Sequence, residues 1–244
     1  MEVAQGIHRL TRGVVSWYLL EDRGNLVLVD AGAPGDWDLF ASTVRSLGRT
    51  FDDVEAVLLT HAHSDHTGFA ERARTDAGTP VWIHGQDAEM ARTGEAPGKN
   101  EAGTAKYLLR PEAYRTFFGL MRRKGLKIVP IHEVSTFDDG QVLDLPGRPR
   151  VVHVPGHTAG SCAIWFEGRR ALVTGDALAT RNPLTGRTGP QIGPDGLNRD
   201  SEQALRSLDK LAPLTADLVL PGHGDPWTDG IAEAVRRAKL AGRS

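Results

Sequence analysis

Short apolar runs divided by glycine, proline and aspartate turns fill the first sixty residues. "VVSWYLL" (14–20) and "NLVLVD" (25–30) flank the polar turn "EDRG" and predict a β-hairpin. In "WDLFASTVRSLG" (37–48), Phe40, Val44 and Leu47 return at helical spacing and Gly48 offers a stop, so a helix is expected there. "VEAVLLT" (54–60) is β-branched and apolar without alternation, the pattern of a strand buried on both faces. It leads directly into "HAHSDHTG" (61–68), and a further strand, "PVWIH", ends at His84.

The pattern then changes. Residues 86–126 are first polar and glycine-rich, then amphipathic, with Tyr107, Leu108, Phe117, Phe118, Leu120 and Met121 on an apolar side. This predicts a helical insertion packed on the body of the protein, where Tyr107 and Phe117 can line a pocket. A second strand-rich half follows in "QVLDL", "RVVHV", "CAIWF" and "RALVT". The segment 181–198 is too rich in glycine and proline for a regular element and reads as a functional loop. "DSEQALRSLDKLAPL" places Leu205, Leu208 and Leu211 on a helical pattern, with Asp200 and Gln203 as a capping pair. "DLVLPGHG" is a last buried strand and turn, and "GIAEAVRRAKL" a last helix. No repeat or linker divides the 244 residues, so a single domain, 1–244, is expected.

Composition narrows the chemistry. A hydrophobic content of 40% supports a sizeable core. No run approaches the ~18 apolar residues of a membrane span, and the N-terminus lacks the apolar stretch of a signal peptide, so a cytoplasmic protein is expected. A net charge of −2 without Lys/Arg blocks gives no footprint for nucleic acid or an anionic membrane. A small-molecule substrate is the expected partner, and a homo-oligomer is compatible with the sequence. The single cysteine, Cys162, excludes an internal disulfide and sits in an apolar run as a core residue.

The candidate chemistry is concentrated in His61, His63, Asp65 and His66. In an extended segment, residues two apart share a side, so His61 and His63 can reach one ion from a strand end. Asp65 and His66, beyond that strand end, turn toward a neighbouring position. Alone, any of these histidines reads as a surface or core residue; four ligand-type residues in six positions do not. His157 in "VPGHTAGS", Asp176 in "VTGDAL" and His223 in "LPGHG" are further ligand-type residues beside glycines at strand ends, and glycine allows the close backbone approach of a crowded site.

Read in order, "VDAG", "THAHSDHTG", "PGHTAGS", "TGDAL" and "PGHG" resemble the successive motifs of the metallo-β-lactamase-fold hydrolases. The resemblance runs from about residue 14 to the end, apart from the insertion and the glycine-rich loop. It implies an α/β fold, an αββα sandwich with the active site at one edge between two sheets. It also implies a ligand set: His61, His63 and His157 for one metal, Asp65, His66 and His223 for a second, and Asp176 bridging both. Two divalent ions are expected; imidazole and carboxylate donors without thiolate suit Zn²⁺ and tolerate Fe, Mn or Co. Asp30 matches a supporting position behind the ligands, although an aspartate there also reads as a helix cap. Asp65 is the expected catalytic carboxylate that returns a proton to the leaving group. His84 and His153 read as structural, and His8 and His132 have no ligand-like context.

Departures from known branches sharpen the expectation. A bridging aspartate at Asp176 is unlike the class B β-lactamases. The 21 residues after His223 are fewer than the C-terminal extension that binds the thiol moiety in hydroxyacyl-glutathione hydrolases. Ala-Leu-Ala follows Asp176 where N-acyl-homoserine lactonases typically place a tyrosine. The expected activity is hydrolysis of a small ester, lactone or thioester by a dinuclear metal site. The alternatives are a mononuclear iron oxidoreductase resembling persulfide dioxygenases and a β-lactamase-like amide hydrolase.

Overall fold

A computed structural model of the chain describes residues 1–95, 104–107 and 109–243. Its larger sheet runs in sequence order through β1 (Glu2–Ala4), β2 (Ile7–Arg12), β3 (Val15–Asp22), β4 (Asn25–Val29), β5 (Val54–Leu58), β6 (Val81–His84) and β7 (Ser135–Phe137). The first four strands are antiparallel and the last four parallel. The β3–β4 turn is closed by Arg23 at φ +51° and Gly24 at φ +92°, the two positive values that match hairpin twist. Parallel pairing requires crossovers, supplied by α1 (Trp37–Ser46) and α2 (Ala70–Ala77), and by α3 (Ala88–Thr93) and α4 (Pro111–Arg122) before β7.

The smaller sheet holds β8 (Arg150–His153), β9 (Cys162–Phe166), β10 (Ala171–Gly175) and β13 (Leu218–Pro221), in the order β13-β10-β9-β8. Between β10 and β13 lie the hairpin β11 (Ala179–Arg181) and β12 (Thr188–Gln191) and the helix α5 (Ser201–Ser207); α6 (Ile231–Ala241) ends the chain.

Side-chain alternation builds the layers. Val27 and Val29 of β4 meet Ile164, Phe166 and Val173 of the second sheet in the central core, while Leu26 and Leu28 face Phe40, Val44 and Phe69 under α1 and α2. In β10, Val173 points to the centre and Leu172 to a third cluster with Leu208, Val235 and Ala238 beneath α5 and α6. Strands buried on both faces explain the unbroken apolar runs. The architecture is the αββα sandwich expected from the sequence.

The arrangement gathers strand ends. Because β9 is antiparallel to both β8 and β10, and β13 is parallel to β10, the C-terminal ends of β8, β10 and β13 share one edge. The Cys162 amide donates to the Thr60 carbonyl at 2.8 Å, which draws the end of β5 to the same edge.

Four expectations change. "QVLDL" forms only a single bridge, Val142 to Arg150, because its neighbours are turns that end the pairing. The 181–198 loop carries strand β12, paired with β11, since backbone hydrogen bonds can close a ribbon through glycine and proline positions. The insertion is not one unit: Ala88, Met90 and Ala91 of α3 belong to the core, whereas α4 buries none of its residues. Its apolar side is divided, with Phe118 and Met121 exposed, and Leu108 lies outside the described residues. Strands β1, β2 and β7 extend the sheet at its two edges, where the sequence predicted none.

Candidate metal centre

His61 to His66 follow β5 in a tight turn, in which the amides of His66 and Thr67 both donate to the His63 carbonyl at 3.0 Å. Gly68 then passes under Ala33 so closely that a Cβ would lie 2.3 Å from the Ala33 carbonyl carbon, which explains glycine at this position. His157 follows β8, Asp176 follows β10 and His223 follows β13. All seven predicted side chains converge at the gathered edge. The donor atoms of three groups lie within 4.8 Å of one another: His61, His63 and His157; His61, His66 and Asp176; and Asp65, His66 and His223.

Hydrogen bonds fix which nitrogen each ring turns inward. His66 donates from Nδ1 to Asp30 Oδ2 at 2.8 Å, and His223 from Nδ1 to the Val14 carbonyl at 2.9 Å. Thr60 Oγ1 donates to Asp30 Oδ2 and therefore accepts from His61 Nδ1 at 3.0 Å. Asn198 spends both amide hydrogens on the Gly193 carbonyl and Ser201 Oγ, so its Oδ1 accepts from His157 Nδ1 at 2.9 Å. Four protons are thus held outside the cluster and four Nε2 atoms point into it. His63 differs, turning Nδ1 inward to within 2.9 Å of His157 Nε2.

Asp176 sits among them. Its Oδ2 lies 3.1 Å from His223 Nε2, 3.4 Å from His157 Nε2 and 4.0 Å from His61 Nε2, and its Oδ1 lies 3.4 Å from His66 Nε2. Asp65 Oδ2 is 3.6 Å from His223 Nε2 and 3.9 Å from His66 Nε2. His61 Nε2, His66 Nε2 and Asp176 Oδ1 are buried without a hydrogen-bond partner. Buried lone pairs left unmatched are costly, and a divalent cation is the group that satisfies several at once. The donor set therefore fits metal ions.

Burial holds His61 well below its ordinary pKa, aided by the rings of His66, His63 and His157, and brings His63 to about 3. Burial also pulls on His66 and His223, but the Asp176 and Asp65 carboxylates outweigh it, raising His66 to about 10 and lifting His223 as well, so that a bound cation would take the place of a proton on their Nε2 atoms. Against burial, His223 and His66 draw Asp176 well below the carboxylate range.

Asp30 supports the site rather than capping a helix. At φ +64° it turns its carboxylate under the cluster to accept from the Thr60 amide and hydroxyl and from His66. Two further supports had no signal in the sequence. Asp87, 2% exposed, accepts from the Ala62 amide at 3.1 Å, the Gly160 amide at 2.7 Å and Thr158 Oγ1 at 2.6 Å. It thereby ties the loop of His61 and His63 to that of His157, while making no cap bond to the helix it precedes. Asn198 orients His157 from 41 residues away in sequence. His84 stacks on His153 with centroids 4.1 Å apart, and neither joins the donor groups, which fits their structural reading. Cys162 is buried.

A cavity of about 820 Å³ opens on the cluster, where His63, Asp65, Asp176 and His223 form part of its wall. Tyr107 and Phe117 line it as expected. Among the described residues no helix is long and apolar enough to cross a membrane.

With this geometry in view, comparison with known proteins is specific. The profile of the metallo-beta-lactamase superfamily matches residues 10–223. A probable metallo-hydrolase of Bacillus subtilis, YflN, is 28% identical over 243 residues, covering 93% of this chain and 87% of its own length. The hydroxyacylglutathione hydrolase GloC of Haemophilus influenzae is 26% identical, covering 86% of this chain and 85% of its own. A metallo-beta-lactamase family protein of Thermus thermophilus, TTHA1429, superposes with a TM-score of 0.71 at 26% identity, over 98% of this chain and 80% of that one. The chain belongs to the metallo-beta-lactamase superfamily and is a metal-dependent hydrolase of that fold.

Proposed function

We propose that the protein holds two divalent metal ions, most readily Zn²⁺, and hydrolyses a small ester, lactone or thioester. The observation that carries this reading is the convergence of inward lone pairs on two groups of donors that share Asp176 as a neighbour. His61, His63 and His157 would hold one ion, Asp65, His66 and His223 the other, and Asp176 would contact both. Such ions supply Lewis acidity toward a carbonyl oxygen and an acidified water as nucleophile.

The chain's own residues do the rest. Asp30, Thr60, Asn198 and the Val14 carbonyl keep the Nδ1 protons outside the cluster and so keep Nε2 available. Asp65, 15% exposed at the cavity wall, is placed to return a proton to the leaving group. A single buried cysteine accords with a reducing cytoplasm, and the shared central core accords with one domain.

A single-iron oxidoreductase of this fold would use only part of the set and would leave buried donor atoms without a partner. The test is metal analysis of purified protein together with turnover of a panel of lactones, thioesters, aryl esters and a β-lactam. Two ions and hydrolysis of one of the first three classes support the proposal. One iron with O₂ consumption on a persulfide, or hydrolysis of the β-lactam alone, overturns it.

A further inference from the structure

The donor cluster forms one part of the cavity wall, and most of the rest is apolar: Met90 of α3, Phe117 and Leu120 of α4, Ile128, Leu184 and Leu197, with the hydroxyls of Thr93, Thr116 and two tyrosines set among them. Among the described residues the only cation on this wall is Lys127, which is exposed, and the only carboxylates are Asp65 and Asp176. Arginines are instead found in a second cavity beside α4, and there their guanidiniums are committed: Arg9 to Asp225, Arg123 to Asp36, Arg181 to Glu112. Among the described residues, one exposed lysine is the whole of the positive charge that this wall offers a phosphate or a multiply charged peptide carrier.

α4 reinforces the point. None of its twelve residues is buried, yet Tyr114 and Phe117, each about half exposed, face the cavity. The helix is held by polar contacts at its flanks: Glu112 to Arg181, Thr116 Oγ1 to the Pro183 carbonyl at 2.6 Å, and the Arg123 carbonyl to the Gly35 amide. Both rings lean on Phe118, at centroid distances of 6.5 and 5.8 Å, and the half of their surface left open to the cavity is covered only when the cavity fills. At about 820 Å³ the space is near the upper end of ordinary ligand sites and far exceeds the needs of an acetyl group.

Building on the hydrolase reading, we infer that the substrate carries an uncharged aliphatic acyl chain, which occupies the wall of Met90, Phe117, Leu120 and Leu184, with its carbonyl at the donor cluster and its leaving group toward the open mouth. Anionic carriers such as glutathione are selected against.

The experiment compares p-nitrophenyl acetate, butanoate and octanoate with the metal-loaded protein. Each methylene that enters the wall should raise kcat/KM about fourfold, so the octanoate, four methylenes longer, should exceed the butanoate roughly 250-fold, mainly through KM. Phe117→Asp should raise KM for the octanoate at least tenfold, and Phe117→Leu should restore it. A flat or falling series with the acetate still hydrolysed overturns the inference while leaving the hydrolase reading intact. If none of these esters turns over, the hydrolase reading is decided by the lactone and thioester panel, and calorimetry decides the inference alone: octanamide should bind at least tenfold tighter than acetamide and lose that advantage in Phe117→Asp. Equal binding of the two amides overturns it.

Discussion

Replacing Asp87 tests whether the two ligand-bearing loops are held by one buried carboxylate. In Asp87→Ala the amides of Ala62 and Gly160 lose the acceptor they have among the described residues, while Thr158 Oγ1 keeps Ser161 Oγ at 2.8 Å. Two buried N–H groups left unmatched at about 1–3 kcal/mol each give about 2–6 kcal/mol of destabilisation. Asp87→Asn keeps the shape, but either orientation of its amide sets an NH₂ against one of those N–H groups, a cost of about 1–3 kcal/mol. Because Ala62 lies between His61 and His63, metal affinity should also fall about 10- to 100-fold, as for other groups that orient ligands. Urea unfolding of metal-stripped protein gives the first quantity and chelator competition the second; the Asn variant serves if the Ala variant does not fold. An Ala variant within about 1 kcal/mol of the parent, with unchanged metal affinity, would refute the reasoning.

Three other outcomes are expected. Gly222→Ala places a Cβ 2.4 Å from Asp176 Oδ1 and 2.6 Å from His66 Cε1, so mass spectrometry should find the purified variant depleted of metal. Glu71 is held below its ordinary pKa of 4.5 mainly by hydrogen bonds from Arg74. A depressed carboxylate stabilises above its unfolded value and loses that contribution as pH falls through the folded one. Glu71→Gln should therefore lower Tm slightly at pH 7, by the ~0.5 kcal/mol of a partly exposed pair, with the difference vanishing in acid. Burial raises the Cys162 thiol well above its ordinary pKa and its Sγ–H donates to the Gly160 carbonyl, so an aromatic disulfide reagent should fail to modify the native protein at pH 8.

The legibility of the fold followed burial. Strands β3, β4, β5, β9, β10 and β13 have nearly every residue buried, and their apolar runs announce them. β2 alternates exposed and buried positions weakly as "IHRLTR", and β7 is a three-residue strand with two exposed positions, so neither carries a strong period. β12 reads "TGPQ", residues that punctuate rather than extend, and only pairing with β11 makes it a strand.

For the site, the residue types that can bind a metal cluster in motifs and were readable as such. Their supports were not. Asp87 stands in no motif, and its partners lie 25 to 73 residues away. Asn198 looks like any loop asparagine until folding brings His157 against it. The tautomers that aim four Nε2 atoms inward are tertiary facts that no local spacing encodes.

The most direct test of the account is the number of metal ions bound per chain, measured by titrating metal-stripped protein with Zn²⁺ in a calorimeter and checked by mass spectrometry. The account predicts two ions per chain, falling in Asp176→Asn, whose carboxylate neighbours both donor groups. A parent protein that binds a single ion at saturation, or none, would contradict it.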